Sequence, residues 1–131
     1  MAHCLIIDDS RVIRAVMRRL FEDLHFSIAE AQDGLAGLRA CRERMPDLVL
    51  LDWSMTGMTG VEFVRALRAQ PGGGRPVILA ALTEVDVNAI AQGVAAGIDD
   101  YLVKPFDREI LSAKLAGLGT HRAGSRAAAG A

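Results

Sequence analysis

Charged side chains follow three apolar stretches of this sequence. Asp8 and Asp9 come directly after the first stretch, Asp52 follows the second, and Lys104 follows the third. The stretches are Leu5–Ile7, Leu48–Leu51 and Tyr101–Val103. A charge at the edge of an apolar core is costly unless it is paired or binds a metal ion. The pattern therefore predicts a polar site at which these charges meet.

The chemistry open to three carboxylates is limited by their mutual repulsion. Like charges about 4 Å apart repel by roughly 4 kcal/mol at an effective dielectric constant of about 20, so Asp8, Asp9 and Asp52 stay ionised together only around a divalent cation. Oxygen-only ligands at a wet rim favour Mg²⁺. Lys104 cannot bind the metal ion, but it can neutralise a phosphoryl group. An aspartate beside Mg²⁺ can attack phosphorus and form an aspartyl phosphate.

Short, uninterrupted apolar runs are typical of strands that are buried on both faces of a parallel sheet. In open α/β sheets, ligands bind beyond the carboxyl ends of the strands. If the three strands lie side by side and parallel, Asp8, Asp9, Asp52 and Lys104 converge at one rim of the sheet.

Strands and helices are predicted to alternate along the chain. The predicted strands are His3–Ile7, Ser27–Ala31, Leu48–Asp52, Pro76–Leu82 and Asp100–Lys104. The predicted helices are Arg11–Leu24, Gly34–Glu43, Thr59–Ala69, Val85–Ala96 and a last helix from Asp107 to about Leu118. Alternation with short connections indicates an α/β fold with a five-stranded parallel sheet and helices on both of its faces.

Helical periodicity predicts which side chains face the core. The first helix presents an apolar stripe made of Val12, Ile13, Val16, Met17, Leu20, Phe21 and Leu24. Its polar face carries Arg14, Arg18, Arg19 and Glu22. In the second helix, Leu35, Leu38 and Cys41 are expected to point inward. Thr59 and Glu62 have the spacing of a capping box at the start of the third helix.

Bulk properties bound the function. The chain has 131 residues and a formal net charge of −1, which suits one domain and favours neither nucleic acid nor membrane as a partner. Its apolar runs are shorter than the ~20 residues of a membrane span, and we expect no signal peptide and a cytoplasmic protein. Residues 1–119 are predicted to form the domain and residues 120–131, rich in Ala, Gly and Arg, a disordered tail.

Taken together, the motifs resemble those of the receiver domain of two-component response regulators, especially the stand-alone chemotaxis (CheY-like) type. The resemblance covers about residues 3–118. Its matching segments are Asp8-Asp9-Ser10, Leu51-Asp52-Trp53-Ser54-Met55, Gly60, Ala96-Gly97 and Tyr101-Leu102-Val103-Lys104-Pro105-Phe106. It implies a flavodoxin-like sheet with strand order 2-1-3-4-5.

The resemblance also implies a role for each charged residue. Asp52 is the expected phosphoacceptor, and Asp8 and Asp9 are expected to hold Mg²⁺ together with Asp52 and the backbone carbonyl of Ser54. Lys104 is expected to pair with the phosphoryl group. The protein would then catalyse only its own phosphorylation and dephosphorylation, and would not otherwise be an enzyme.

Further expectations concern the surroundings of the site. Tyr101 occupies the place of an aromatic residue that turns inward on activation and marks the face that binds a partner. Ser54 and Glu84 occupy two variable positions that tune self-dephosphorylation. The bond before Pro105 is expected to be cis.

Two positions depart from the family pattern. Thr56 replaces a proline that is common in the loop after Asp52. Counting back from Gly97 and Lys104, the Ser or Thr of the family switch falls on Leu82, and Thr83 lies one place later. Either activation lacks the usual hydroxyl hydrogen bond, or a shift of the strand end lets Thr83 reach the phosphoryl oxygen.

Several functions remain open from the sequence. The first is a phosphorylatable receiver that takes its phosphoryl group from a histidine kinase or phosphotransfer protein and signals through a protein target, with no DNA-binding domain of its own. The second is a degenerate receiver that binds partners independently of phosphorylation or under nucleotide control. The arginines of the first helix could bind a kinase or a cyclic dinucleotide, although a solvated helix face also explains them.

Two enzyme classes are disfavoured. An aspartate-nucleophile phosphatase usually needs a second acid two residues after the nucleophile to protonate the leaving group, and Ser54 occupies that place. A dinucleotide-binding enzyme usually has a Gly-x-Gly turn after its first strand, where this chain has Asp8-Asp9-Ser10.

Overall fold

A computed structural model describes residues 2–118 of the chain. Its strands are β1 (His3–Ile7), β2 (Ser27–Ala31), β3 (Leu48–Asp52), β4 (Val77–Leu82) and β5 (Asp100–Val103). All neighbouring pairs are parallel, and the strand order is 2-1-3-4-5. The predicted fold class and the predicted strand order are therefore confirmed. The predicted tail, residues 120–131, lies outside the described residues.

The first four helices connect successive strands. They are α1 (Arg11–Asp23), α2 (Gly34–Glu43), α3 (Gly60–Ala69) and α4 (Val87–Ala96), followed by a fifth, α5, over 108–118. Side chains of Ser10, Asp33, Thr59 and Asp86 cap the first four helices by accepting a backbone N–H. The predicted capping box of Thr59 and Glu62 is present. These caps begin each helix just beyond the carboxyl end of a strand, so the connecting loops crowd that end of the sheet.

Two apolar layers cover the sheet, one on each face. On one face, α2 and α3 pack through residues such as Leu38, Phe63 and Val64. On the other face, α1 contributes Phe21, and α5 contributes Leu111. Every residue of β1 and β3 is buried, which explains their uninterrupted apolar sequences.

Some predicted details are wrong. Leu35 is 60% exposed rather than turned inward, and Val12 and Val16 of the α1 stripe are 72% and 53% exposed. The stripe is wider than the surface the sheet can cover, so its edge stays in solvent. Element ends differ by one or two residues: α4 begins at Val87 instead of Val85, because Asp86 caps it.

The two cysteines, Cys4 and Cys41, are free and buried, and Cys41 points inward as expected. Burial raises the pKa of Cys41 to about 11, so its thiol stays protonated at neutral pH. Among residues 2–118, no helix is long and apolar enough to cross a membrane.

Candidate functional site

The predicted acidic residues meet at the carboxyl ends of β1 and β3. Ligand atoms of Asp8, Asp9 and Asp52 all lie within 4.8 Å of one another. Asp8 and Asp52 are each only 5% exposed, whereas Asp9 is exposed to solvent. The parallel register pairs Ile7 with Leu51, so the residues that follow these two lie side by side.

Short backbone hydrogen bonds orient the two buried carboxylates. The N–H of Ser10 donates to Asp8 Oδ1 at 2.9 Å, and the N–H of Ser54 donates to Asp52 Oδ1 at 3.1 Å. In both cases the donor lies two residues after the aspartate, as in Asx turns. Each turn leaves the second carboxylate oxygen available to a ligand.

Lys104 joins the acidic cluster from β5. Its Nζ lies 3.2 Å from Asp52 Oδ1 and 3.6 Å from Asp8 Oδ2. The Lys104–Pro105 peptide bond is cis, as the resemblance implies. The structure therefore brings together all four charged residues that the sequence singled out.

Without a bound cation, repulsion between the ionised carboxylates makes this arrangement electrostatically unfavourable. Burial raises the pKa of the Asp8 carboxyl above its ordinary value, and the charges of Asp52 and Asp9 act in the same direction. The Ser10 hydrogen bond and the Lys104 ammonium lower the pKa but do not cancel the effect of burial. One ammonium thus only partly balances three carboxylates.

The donor set fits Mg²⁺. All three side chains offer hard oxygen atoms, and exposed Asp9 leaves one side of the cluster open to water and a phosphoryl oxygen. A groove of about 620 Å³ begins at this open side and is lined by Asp9, Asp33, Thr56, Met58 and Glu62, among others. A small phosphodonor can approach through it.

Trp53 anchors the loop that follows Asp52. The Trp53 N–H donates to the Ala81 carbonyl of β4 at 3.0 Å, and its ring packs directly on Gly60 of α3. A Cβ at Gly60 would lie 2.4 Å from Trp53 Cε3, so only glycine allows this approach. A Cβ at Gly93 of α4 would lie 3.3 Å from the far edge of the same ring. Trp53 therefore links the acidic site to α3 and α4.

The sheet register changes the assignment of the switch position. Asp52 pairs with Ala81, which is buried and shares its face of the sheet. Counting back from Gly97 and Lys104 had placed the switch position at Leu82. Side chains alternate along a strand, so the Leu82 side chain points to the opposite face of the sheet. The count was misleading because the length of the connection between β4 and Gly97 does not determine strand register. Ala81 offers no hydroxyl beside Asp52.

The other predicted residues lie on the surface around the site. Thr83 and Glu84 are exposed in the loop after β4, and Ser54 is exposed after β3. Tyr101 is half-buried on β5, and Lys114 Nζ of α5 lies 5.2 Å from the centre of its ring. The Lys114 ammonium also lies 3.2 Å from Asp100.

Sequence reasoning missed one residue that contacts the site. Arg14 was placed on the polar face of α1, but its NH1 donates to the backbone carbonyl of Asp8 at 2.6 Å. The available signal was its place in the first turn of α1, where its own N–H bonds to Ser10 O at 3.0 Å. A first-turn side chain lies close to the loop that precedes the helix.

Known proteins share both the sequence and the fold. The family model of the response regulator receiver domain matches residues 4–116. The chemotaxis protein CheY of Pseudomonas aeruginosa is 35% identical over 112 residues, covering 85% of this chain and 90% of that protein. The transcriptional regulatory protein PrrA of Mycobacterium tuberculosis is 39% identical over 123 residues, which span 94% of this chain but about half (52%) of PrrA.

Solved structures agree. Vibrio cholerae chemotaxis protein CheY4 superposes with a TM-score of 0.85 at 34% identity, covering 90% of this chain and 98% of that one. The receiver domain of the sensor histidine kinase PA1611 from Pseudomonas aeruginosa, which has a magnesium ion coordinated in its active-site cleft, gives 0.81 at 27% identity with the same coverage. The chain belongs to the response regulator receiver domain family of two-component signalling.

Proposed function

We propose that this protein acts as a response regulator through its receiver domain. It accepts a phosphoryl group on Asp52 from a histidine kinase or phosphotransfer protein, depends on Mg²⁺ for that step, and signals through a phosphorylation-dependent protein contact. The observation that carries the proposal is the meeting of three carboxylate side chains with the Lys104 ammonium, 3.2 Å from Asp52.

The reaction follows from the charges in the site. A carboxylate oxygen of Asp52 attacks phosphorus, the bond from phosphorus to the donor nitrogen or oxygen breaks, and that donor atom leaves with the bonding electrons. Mg²⁺, when bound, neutralises charge on the phosphoryl oxygens. We propose Asp8, Asp9, Asp52 and the backbone carbonyl of Ser54 as its protein ligands. Lys104 pairs with a phosphoryl oxygen as a point charge.

The direct test is chemical phosphorylation. Incubation with acetyl phosphate and Mg²⁺, followed by intact mass measurement, should show one added phosphoryl group. Asp52→Asn should abolish the adduct because the amide is not a nucleophile, and chelation of Mg²⁺ should prevent it in the parent. An adduct that persists in Asp52→Asn would assign the phosphoacceptor elsewhere.

Ala81 keeps the degenerate receiver as a second candidate. Because no hydroxyl lies beside Asp52 on β4, a phosphoryl group would lack the side-chain hydrogen bond that draws the next loop inward. A neutral hydrogen bond contributes about 1 kcal/mol, roughly a fivefold change in a two-state equilibrium. Thr83, which lies two residues after Ala81 in the loop that follows β4, is our candidate for a hydroxyl that replaces it.

Partner binding separates the two candidates. Affinity for a partner would be measured with and without a beryllofluoride adduct on Asp52, in the parent and in Thr83→Ala. A gain in the parent that Thr83→Ala erases assigns the switch to Thr83. Equal affinities in all four samples would favour the degenerate receiver.

The proposed partner surface surrounds Tyr101. Val94 of α4 and Ile110 of α5 are 57% and 51% exposed on the elements that flank β5. We propose that these two side chains contribute to the contact with the partner. We also propose that residues 1–119 form the receiver domain and that the protein is located in the cytoplasm. Ser54 and Glu84 are proposed to tune the lifetime of the phosphoryl group on Asp52.

A further inference from the structure

Arg14 contacts the acidic loop through its backbone. The Arg14 guanidinium donates from NH1 to Asp8 O at 2.6 Å, and its side chain is only 14% exposed. The carbonyl it binds belongs to the peptide group that joins Asp8 to Asp9. This contact therefore reaches the two acidic residues without involving either carboxylate.

Glu30 at the end of β2 holds Arg14 in this position. Arg14 Nε donates to Glu30 Oε1 at 3.1 Å, and Arg18 Nε donates to Glu30 Oε2 at 2.7 Å. Both oxygens of the carboxylate are thus used, and these hydrogen bonds lower the pKa of Glu30. Because Glu30 of β2 holds the Nε of Arg14, the rest of the planar guanidinium group is directed at the Asp8 carbonyl.

The backbone on both sides of the Asp8–Asp9 peptide group is also restrained. The Asp8 N–H donates to Ala31 O of β2 at 3.1 Å, and Asp8 Oδ1 accepts from Ser10 N–H. The hydrogen bond from Arg14 fixes the orientation of the Asp8 carbonyl group within this peptide group. Rotation of this peptide plane would change the direction in which the Cα–Cβ bond of Asp9 points, because the plane begins the backbone of Asp9. Asp9 is exposed, so packing holds it less firmly than the buried Asp8.

We propose that Arg14, held by Glu30, is a positioning residue for the divalent cation site of Asp8, Asp9 and Asp52. It acts by fixing the peptide group between the two acidic residues. The inference rests on the proposed function, which assigns Mg²⁺ to these carboxylates. Groups that orient metal ligands in this way typically change metal affinity about tenfold or more when they are removed.

Charge and positioning predict opposite signs. Arg14 is a cation beside a cation site, so its removal on electrostatic grounds alone would strengthen Mg²⁺ binding. Removal of a positioning group would weaken binding. The direction of the change therefore distinguishes the two roles.

The experiment is a Mg²⁺ titration of the full chain, followed by calorimetry and by the fluorescence of Trp53, the single tryptophan. Arg14→Gln removes both charge and hydrogen bonds, and Arg14→Lys keeps the charge but loses the planar fork. Arg19→Gln is the matched control on the same helix, with a side chain that is 81% exposed. The backbone amide resonance of Asp9 in the metal-free protein gives a readout that does not involve metal.

We expect Arg14→Gln to weaken Mg²⁺ binding about tenfold, Arg14→Lys to weaken it less, and Arg19→Gln to leave it within about twofold, the remote charge being screened. The Asp9 amide should shift in both Arg14 variants. Equal or tighter binding in Arg14→Gln would overturn the inference, and if that variant does not fold, parental affinity in Arg14→Lys would do so. A parent that fails to bind Mg²⁺ would overturn this inference and the proposed function together, whereas a normal parent with unaffected variants would overturn this inference alone.

Discussion

At the scale of single residues, Asp8 shows how burial changes the ionisation of a carboxylate. The carboxylate is 5% exposed and close to two other acids, and burial raises its pKa. A raised pKa of an acid means that folding favours the protonated form. The contribution of protonated Asp8 to the free energy of unfolding is present below the unfolded-state pKa and is lost as pH rises through the folded-state pKa. Ionised Asp8 thus lowers the folding stability of the metal-free protein at neutral pH.

Asp8→Asn should therefore raise the melting temperature of the metal-free protein at pH 7 by a few degrees. The difference from the parent should narrow as pH falls towards the folded-state pKa of Asp8. Added Mg²⁺ should stabilise the parent by mass action and have little effect on Asp8→Asn. Thermal unfolding with Mg²⁺ and with a chelator measures both effects; a variant less stable than the parent without metal would contradict this account.

At the scale of elements, Trp53 and Gly60 determine how closely β3 and α3 approach. A Cβ at Gly60 would meet three atoms of the Trp53 ring at 2.4–2.7 Å, so the ring or the helix must move. This steric demand, rather than helix capping, explains glycine at the first position of α3. The site and the helix are linked by direct packing.

Gly60→Ala should lower the free energy of unfolding by about 1–3 kcal/mol, the usual cost of overpacking. It should also change the emission of Trp53 in the folded state. Gly74→Ala is the control, because a Cβ there meets nothing within 4 Å. Urea unfolding followed by fluorescence gives both quantities, and parental stability in Gly60→Ala would show that the ring has room to move.

At the scale of the whole molecule, Arg68 joins segments that are far apart in sequence. Its guanidinium donates to the carbonyls of Gly73, Pro76 and Gly97, and it lies 3.2 Å from Asp99 Oδ2. One side chain thus ties α3 to the start of β4 and the end of α4. It lies at the end of the sheet opposite the acidic site.

Arg68→Met should destabilise the fold by about 3 kcal/mol, because it removes the hydrogen bonds to three backbone carbonyls together with the ion pair to the largely buried Asp99 carboxylate. Arg65→Met, an exposed position on the same helix, should change stability by less than about 0.5 kcal/mol. Chemical denaturation of the two variants under identical conditions makes the comparison. A similarly small change in stability in Arg68→Met and Arg65→Met would mean that water molecules hydrogen-bond to the backbone carbonyls as well as Arg68 does.

Much of this protein was predictable from its sequence. Uninterrupted apolar runs indicate buried parallel strands, and strands of one direction end at one edge of the sheet, so Asp8, Asp9, Asp52 and Lys104 were predicted to converge if their three strands lie side by side. Caps such as Thr59 with Glu62 are local, because donor and acceptor lie within one turn. The sequence pattern and its resemblance to receiver domains therefore sufficed for the fold and for the charged residues of the site.

Register and packing across the sheet required the tertiary structure. Only the pairing of β3 with β4 shows that Ala81, and not Leu82, lies beside Asp52, because the loop after β4 can absorb an extra residue without any local signal. Only the approach of α1 to β2 places Arg14 between Glu30 and the Asp8 carbonyl. These contacts join residues from different elements, and their geometry depends on how the elements pack rather than on any local periodicity.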